Sequence, residues 1–234
     1  TAEILASAFW PGPMTLVLPL ADGHGLSSLV TAGLDSVGIR VPAHPTARAI
    51  LRALGGPVAA PSANPSGRIS PTTADHVIAG LTGKIDAVID GGACGVGVES
   101  TIVSCVGAPA ILRAGGVPTE TISACLGRPV AQPDDPDTPQ SPGQLASHYA
   151  PKGHVRLNAT QIDPEEVLLG FGDVDAALNL SLAGDLNEAA AHLFDYLHKL
   201  DAMGVNRIAV SPIPDYGLGR AINDRLNRAA APRD

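Results

Sequence analysis

The density of proline between Arg128 and Lys152 most limits how this chain can fold. These 25 residues contain six prolines and three aspartates. Proline lacks a backbone donor and fixes φ, so a segment this rich in proline forms neither a helix nor an internal strand. We therefore predict a semi-extended linker over residues 129–152, with a larger domain over residues 1–128 and a smaller one over residues 153–234.

Short apolar runs alternate with helical patterns on both sides of the linker. Before it, we predict strands at Thr15–Leu20, Val37–Val41, Pro57–Ala60, Ala87–Ile89, Thr101–Cys105 and Ala110–Arg113, and helices over Thr1–Phe9, Pro45–Leu54, Thr72–Leu81 (capped by Thr72) and Thr119–Leu126. After it, we predict strands at Val167–Gly170 and Arg207–Val210, a helix opened by a capping box at Asp185 and Glu188, and a final helix through Ile222 and Leu226. Strands interleaved with helices indicate an α/β fold, in which ligand loops lie at strand ends.

Composition narrows the class of protein further. Hydrophobic residues make up 45% of the chain but aromatic residues only 3%, so the core is aliphatic. The net charge is −8, about neutral before the linker and acidic after it, which argues against the basic stripe of a general nucleic-acid binder. Three cysteines without C-x-x-C spacing argue against a disulfide framework or zinc site and favour a reducing cytoplasm. No apolar run is long enough to span a membrane.

The segment "PSANPSGRISPTT", Pro61–Thr73, is unusually rich in small polar side chains. One interpretation is a solvated loop whose Ser and Thr residues form turns and a helix cap. The other is a nucleotide cradle, because Ser62, Asn64, Ser66 and Ser70 offer neutral hydrogen-bond donors beside a helix N-terminus. A P-loop is excluded, since G-x-x-x-x-G-K-[ST] does not occur. Residue types alone leave both interpretations open.

Two arginines and a glycine-rich stretch are further candidates for a site. Arg40 and Arg113 each end a short apolar strand, where an arginine reaches solvent or binds a carboxylate or phosphate bidentately. Gly91–Val103 brings Ser100 and Thr101 to a strand start, which fits either a bulged turn or a ligand-facing edge. His148 has no partner at metal-ligand spacing, and no G-x-S-x-G elbow occurs, so we predict neither a metal site nor a serine hydrolase.

Six motifs together carry a resemblance that none carries alone. They are "FWPGPMTLVLP", "SVGIRVPAHP", "PVAAPSANPSGRISPTTA", "GVESTIV", "ILRAGG" and "SPGQLASHYAPK", in that order along essentially the whole chain. The chain closely resembles the threonylcarbamoyl-AMP synthase family of YrdC/YciO-type proteins, in its long two-domain form. The resemblance implies a YrdC-type twisted mixed sheet with helices around a cavity, plus a smaller Rossmann-like α/β domain, with the linker acting as a lid.

The resemblance also implies a chemistry and a set of binding residues. The family forms threonylcarbamoyl-AMP and pyrophosphate from L-threonine, bicarbonate and ATP, and a tRNA threonylcarbamoyltransferase complex then uses the product. Mg²⁺ is expected to arrive with ATP, and no catalytic nucleophile, resident metal or tightly bound cofactor is expected. Carried over by motif, the ATP contacts are Ser36, Ser62, Ser70, Arg113 and Tyr149, the threonine contacts are Arg40, Ala60 and Ser100, and possible additions are Asn64, Thr101 and His148.

The chain departs from the family pattern in two places. Ser36 stands where many relatives have threonine, which keeps the hydroxyl. The chain also starts after the Lys/Arg-rich "K-R-P"-like strand of the family, so we expect an N-terminal segment to be missing. The alternatives are an RNA-binding module of the same fold without catalysis, and a carbamoyl-transfer domain of the hydrogenase-maturation type. The second alternative requires zinc-finger and acylphosphatase-like segments, and neither occurs here.

Overall fold

A computed structural model describes residues 1–131 and 148–232 of the chain. The helices are α1 (Ala2–Phe9), α2 (Ser28–Thr31), α3 (Pro45–Leu54), α4 (Ala74–Leu81), α5 (Thr119–Leu126), α6 (Leu186–Ala202) and α7 (Gly219–Ala230). The strands are β1 (Met14–Pro19), β2 (Ser36–Ile39), β3 (Thr101–Ser104), β4 (Ala110–Arg113), β5 (His154–Arg156), β6 (Val167–Gly170), β7 (Leu178–Asn179) and β8 (Arg207–Val210). The α/β class is confirmed, while most of the predicted linker and lid lies outside the described residues.

The described residues form two compact units that interleave along the chain. The first unit comprises Thr1–Pro61 and residues 99–131, and the second comprises Ser62–Val98 and residues 148–232. The segment from Ser62 to Val98 therefore belongs structurally with the C-terminal part of the chain. The domain boundaries at residues 128 and 153 remain predictions, since they rest on proline content rather than on packing.

A mixed four-stranded sheet organises the first unit, in the order β2-β1-β3-β4. Strand β1 runs antiparallel to β2 and parallel to β3, and β4 returns antiparallel to β3. Side chains alternate between the faces of a strand, so the sheet has one apolar face and one more polar face. The apolar face packs on α1 and α5 and forms the core, whose buried members are Leu5, Met14, Leu16, Val103, Ile111, Val117, Ile122 and Val130.

The second unit contains an all-parallel sheet in the order β5-β8-β6-β7. Parallel strands need crossover connections, and α6 provides the crossover from β7 to β8. This arrangement confirms the Rossmann-like prediction for the C-terminal part. Buried side chains of the two long helices complete the core of this unit: Ala189, Ala190, Leu193, Phe194, Leu197 and Leu200 from α6, and Ala221, Ile222, Leu226 and Ala229 from α7.

The first turns of α6 and α4 differ in detail from the prediction. Asp185 caps α6, accepting hydrogen bonds from the backbone N–H groups of Asn187 and Glu188. The capping box is nevertheless incomplete, because the Glu188 carboxylate accepts from the Ser181 hydroxyl at 2.5 Å. Helix α4 is capped by Thr73, whose hydroxyl accepts from the His76 backbone N–H at 3.3 Å. The prediction of Thr72 as its cap is therefore wrong.

Two predicted strands do not form among the described residues. Pro57–Ala60 and Ala87–Ile89 lie outside any helix or strand, and their large apolar side chains are exposed, 51% for Val58 and 64% for Ile89. A strand needs a hydrogen-bonded neighbour, and neither segment has one in the part of the chain that the structure describes. The apolar runs correctly marked short hydrophobic segments, but the prediction of buried strands there is wrong.

Three general features bear on the class of protein. No helix among the described residues is long and apolar enough to cross a membrane. Cys94, Cys105 and Cys125 are free thiols. The described residues also contain no cluster of three or more His, Cys, Asp or Glu side chains that could hold a metal ion.

Candidate active site

The more polar face of the first sheet collects most of the predicted binding residues of that unit. Ser36 lies opposite Pro19 in the register of β1 and β2. Arg40 follows β2 two residues after Gly38, and therefore lies on the same face as Gly38 and Ser36. Ile102 pairs with Arg113, which places Arg113 on the same face, and Ser100 lies one residue before β3 in step with Ile102. Alternation along the strands thus separates these polar residues from the apolar core on the opposite face.

Arg113 and Ser100 form the best-defined polar contact on this face. The Nη2 atom of Arg113 donates to the Ser100 carbonyl at 2.9 Å and lies 3.3 Å from the Ser100 hydroxyl, while Nε lies 3.3 Å from the same carbonyl. The Ser100 hydroxyl is also 2.7 Å from that of Thr15. These contacts fix the plane of a half-buried guanidinium, a group that binds carboxylates and phosphates bidentately.

Thr101 points the other way, into the core of the first unit. It is fully buried, and its hydroxyl donates to the Val117 carbonyl at 2.7 Å and accepts from the Val117 N–H at 2.9 Å. One side chain therefore satisfies both backbone groups of a residue 16 positions away. This geometry ties the start of β3 to the turn between β4 and α5, and gives Thr101 a structural task.

The turn after β4 approaches the start of β3 so closely that residue 115 must be glycine. A Cβ atom on Gly115 would lie 2.4 Å from backbone atoms of Glu99, Ser100 and Thr101. The N–H of Gly116 donates to the Glu99 carbonyl at 2.9 Å, which holds the two segments together. The sequence "RAGG" thus positions Arg113 against Ser100 through backbone contact, and a larger residue would separate them.

The polar segment Ser62–Thr73 lies in the second unit, and hydrogen bonds within it hold part of its backbone in place. The Asn64 side-chain amide donates to the carbonyls of Pro65 and Arg68 at 3.0 and 3.1 Å. Gly67 has a φ of +77°, which suits glycine in the left-handed region, and its carbonyl accepts from the Ala150 N–H at 3.1 Å. The Asn64 Oδ1 atom is buried without a hydrogen-bond partner among the described residues. The segment is therefore an ordered loop in which Ser62, Ser66 and Arg68 remain exposed.

Two histidines support the end of this segment. The Ser70 carbonyl lies 3.2 Å from Nε2 of His198, and the backbone N of Thr72 lies 3.3 Å from Nδ1 of His76. The two imidazole rings stack with their centroids 3.8 Å apart. Burial lowers the pKa of both rings, and the adjacent His76 ring lowers the pKa of His198 further. Both rings are thereby favoured in the neutral form.

His148 and Tyr149 are packed into the second unit. Tyr149 is 1% exposed and has a φ of +61°, and its ring lies 5.3 Å from Phe194 and 4.1 Å from His148, measured between centroids. The guanidinium of the fully buried Arg225 stacks over Tyr149 at 5.6 Å from the ring centre. The end of the proline-rich segment is therefore anchored by aromatic packing within this unit.

The predicted residues fall into groups that differ in exposure. Arg40, Ala60 and Ser62 are exposed, and Ser36, Asn64, Arg113 and His148 are half-buried. Ser70, Ser100, Thr101 and Tyr149 are buried. The structure brings Ser100 and Arg113 into direct contact within the first unit, and brings the segment around Gly67 into contact with Ala150 within the second. The sequence motifs did not indicate Thr15 and His198, because each meets its partner across a long stretch of chain. They also did not indicate His76, which bonds Thr72 four residues away but stacks on the distant His198.

Comparison with known families gives matches over both parts of the chain. Residues 1–115 match the Sua5/YciO/YrdC model, which is described as "Telomere recombination". Residues 117–231 match a model described as "Threonylcarbamoyl-AMP synthase, C-terminal domain". The two matches are adjacent and together span nearly all of the sequence.

Individual relatives agree with the family matches. The chain is 38% identical to the threonylcarbamoyl-AMP synthase of Bacillus subtilis, over 99% of this chain and 73% of that protein. It is 37% identical to the one of Pyrococcus abyssi, over 99% of this chain and 74% of that protein. Among solved structures, it is similar to P. abyssi Sua5 complexed with L-threonine, with a TM-score of 0.87, 37% identity, and coverage of 98% of this chain and 73% of that one.

Proposed function

This chain belongs to the threonylcarbamoyl-AMP synthase family, and from that premise we propose how its residues serve the reaction. It is an enzyme of the nucleotidyltransferase type that uses ATP and L-threonine as substrates. The observation that carries this conclusion is a relationship of 37–38% identity that extends over 99% of the chain and through both family models.

The proposed reaction adds bicarbonate as the third substrate and has two steps. The amine of L-threonine combines with bicarbonate and loses water, which gives a carbamate. A carbamate oxygen then attacks the α-phosphorus of ATP, and the bond from that phosphorus to the β-phosphate oxygen breaks, releasing pyrophosphate. Neither step needs a protein nucleophile. The enzyme's tasks are to position the reactants, neutralise charge and exclude water from the carbamate and the mixed anhydride.

Arg113 and Arg40 are the proposed anion-binding groups of the first unit. Contact with the Ser100 carbonyl orients the Arg113 guanidinium before any ligand binds, so we assign it to the phosphates of ATP, with Ser36 on the same sheet face. Arg40, on that face and exposed, is assigned to the threonine carboxylate. Ser100 and Ala60 are the other proposed threonine contacts. Thr101 is left out of this assignment because Val117 occupies its hydroxyl.

In the second unit, the loop from Ser62 to Ser70 is the proposed nucleotide-binding segment. Its order supports the assignment, because a pre-formed loop loses little conformational freedom when a ligand binds. Ser62 and Ser70 are the proposed ATP contacts, and the buried Oδ1 of Asn64 is a free acceptor for a substrate donor in the described structure. Tyr149 is also assigned to ATP through the family motif, and His148 is a further candidate beside it.

Further proposals concern the setting of the reaction. Mg²⁺ would enter as the complex with ATP, as part of the substrate rather than as a resident metal. The free cysteines fit a cytoplasmic enzyme. The product is a reactive mixed anhydride, so we propose that a tRNA threonylcarbamoyltransferase complex consumes it downstream.

The experiment that tests this function is pyrophosphate release with one substrate omitted at a time. The proposal predicts release only when ATP, bicarbonate and L-threonine are all present, and L-serine serves as a matched amino acid that lacks the methyl group. Release that is indifferent to L-threonine would contradict the assignment. The alternative of a non-catalytic RNA-binding module predicts salt-sensitive RNA binding without ATP binding, and the net charge of −8 argues against it.

A further inference from the structure

Two histidines that the proposed reaction does not use meet beside the nucleotide-binding loop. His76 lies on α4 and His198 on α6, and both belong to the second unit. Their rings stack with an interplanar angle of 20°. Stacked imidazoles at 3.8 Å do not readily carry two positive charges, so the contact favours rings that are neutral or singly protonated.

The hydrogen bonds assign the tautomer of each ring. A carbonyl oxygen only accepts, so Nε2 of His198, 3.2 Å from the Ser70 carbonyl, carries a proton. A backbone N–H only donates, so Nδ1 of His76, 3.3 Å from the Thr72 nitrogen, has none. Neutral His76 therefore carries its proton on Nε2, which lies 4.0 Å from the Asp195 carboxylate. Each ring holds one backbone group of the segment that leads into α4.

The charged groups around His76 act in both directions. Asp195 and Asp75 favour its protonation, whereas Lys199 opposes it and also forms an ion pair with Asp195 at 2.8 Å. Burial outweighs the aspartates, and the net result is a pKa below the ordinary imidazole value.

The surroundings of His198 have the same balance. Burial is the largest influence and the His76 ring adds to it, whereas Asp201, Asp195 and the bond to the Ser70 carbonyl favour protonation. Its pKa is also lowered. Both rings therefore bind a proton less readily than a free imidazole, and they reach their charged forms only under more acidic conditions.

We propose that His76 and His198 are positioning residues for the ATP site, which as a neutral stacked pair hold the Ser70–Thr73 segment and lose the bond to the Thr72 backbone when His76 is protonated. The inference rests on the proposed role of Ser70 in binding ATP. A second proton on His76 can only bind Nδ1, the atom that accepts from the Thr72 backbone N–H, so protonation removes that hydrogen bond. The protonated Nδ1 would instead donate to the Thr72 hydroxyl, 3.3 Å away, which exchanges a bond to the backbone for one to the side chain. His198 keeps its Nε2 proton in either form, so His76 is the acid-sensitive member.

The sign of the pH dependence follows from the lowered pKa values. The folded pair binds protons less tightly than free imidazoles, so the bond to the Thr72 backbone is present above the ordinary imidazole pKa and is lost as the pH falls through the lowered pKa of His76. We therefore expect ATP affinity to weaken as the solution is acidified below about pH 6.5.

Substitutions that imitate the neutral rings give a direct test. In His76→Asn, Oδ1 can replace Nδ1 as acceptor, and in His198→Gln, Nε2 can replace the donor, yet neither side chain titrates. Calorimetric ATP titrations on acidification from pH 8 through the midpoint of the His76 titration should show an affinity loss of about two- to tenfold in the parent chain that is absent in the double variant. ATP's own protonation affects both proteins equally, so the difference between them isolates the histidines. His76→Leu, which has no acceptor, should bind weakly at every pH.

A second readout does not depend on ATP. In ¹⁵N–¹H spectra, the amide resonance of Thr72 should shift with the same midpoint as the His76 imidazole. If the Thr72 amide resonance does not change as His76 titrates, the proposed contact between the two residues is wrong. If the ATP affinity of the double variant depends on pH as in the parent chain, the proposed effect of the histidines on ATP binding is wrong. If ATP binds at no pH while Thr72 still follows His76, the proposed function and the positioning role fail but the pH-sensitive contact stands.

Discussion

The double hydrogen bond between Thr101 and Val117 gives the sharpest prediction about the scaffold of the site. Thr101→Val keeps the shape of the side chain but removes both bonds, leaving the buried N–H and carbonyl of Val117 without their partner. An unsatisfied buried backbone group costs about 1–3 kcal/mol, so two should lower the free energy of unfolding by about 2–6 kcal/mol. A loss of that size lowers the melting temperature by roughly 5–20 °C in a chain of this length.

The matched variant is Thr101→Ser, which keeps both hydrogen bonds and removes one methyl group, at a cost of about 1 kcal/mol. Urea unfolding followed by circular dichroism gives the free energies, and calorimetry at a temperature where both variants are folded gives ATP affinity. We expect Thr101→Val to be much less stable than Thr101→Ser, with ATP affinity unchanged in both. If Thr101→Val is as stable as Thr101→Ser, the two hydrogen bonds to Val117 do not stabilise the fold. If Thr101→Val is stable but fails to bind ATP, Thr101 contacts the substrate instead.

Three further substitutions test the account at single positions. Arg113→Ala should weaken ATP binding by about 1.5–3 kcal/mol, roughly ten- to 150-fold, as measured by calorimetry. The control Arg52→Ala, which removes an exposed charge from α3, should leave ATP affinity unchanged. Equal losses in both variants would show that Arg113 acts only through the net charge of the chain and not through a direct contact with ATP. Gly115→Ala should destabilise the chain by about 1–3 kcal/mol in urea unfolding because its Cβ would meet backbone, whereas Gly56→Ala, with open space around it, should be harmless. Asp185→Ala should lower the melting temperature by uncapping α6, and Asp185→Asn should restore most of it; a silent Asp185→Ala would show that the cap contributes little.

Local signals predicted six of the seven helices in the described residues and missed the four-residue α2. The bounds of α3 and α5 agree with the prediction, because Pro45 at the first turn and Gly55 and Gly127 at the ends are marks that the sequence shows directly. In α6, the apolar residues spaced three to four apart, Leu186, Ala190, Leu193, Leu197 and Leu200, predict one buried face, and all but Leu186 are buried. Strands β5 and β7 escaped notice because three and two residues are too short for a recognisable alternation.

Strand pairing and the support of the site depended on distant partners. The run Pro57–Ala60 is apolar enough for a strand, but only the structure reveals that it has no neighbour among the described residues. The Ser70 carbonyl meets His198 across 128 positions, and Ser100 meets Thr15 across 85. Periodicity does not encode such contacts, so the sequence indicated the candidate binding residues through motifs but not the side chains that hold them in place.

The mass of the nucleotide product made from ¹³C-labelled bicarbonate distinguishes carbamate formation from direct adenylation of threonine. The chain is incubated with ATP, L-threonine and labelled bicarbonate, and the adenylates are separated and analysed by mass spectrometry. The proposed reaction predicts threonylcarbamoyl-AMP in which the carbamoyl carbon, and no other, is labelled. An unlabelled threonine adenylate, formed by attack of the threonine carboxylate on ATP, would contradict it, as would the absence of any threonine-containing adenylate.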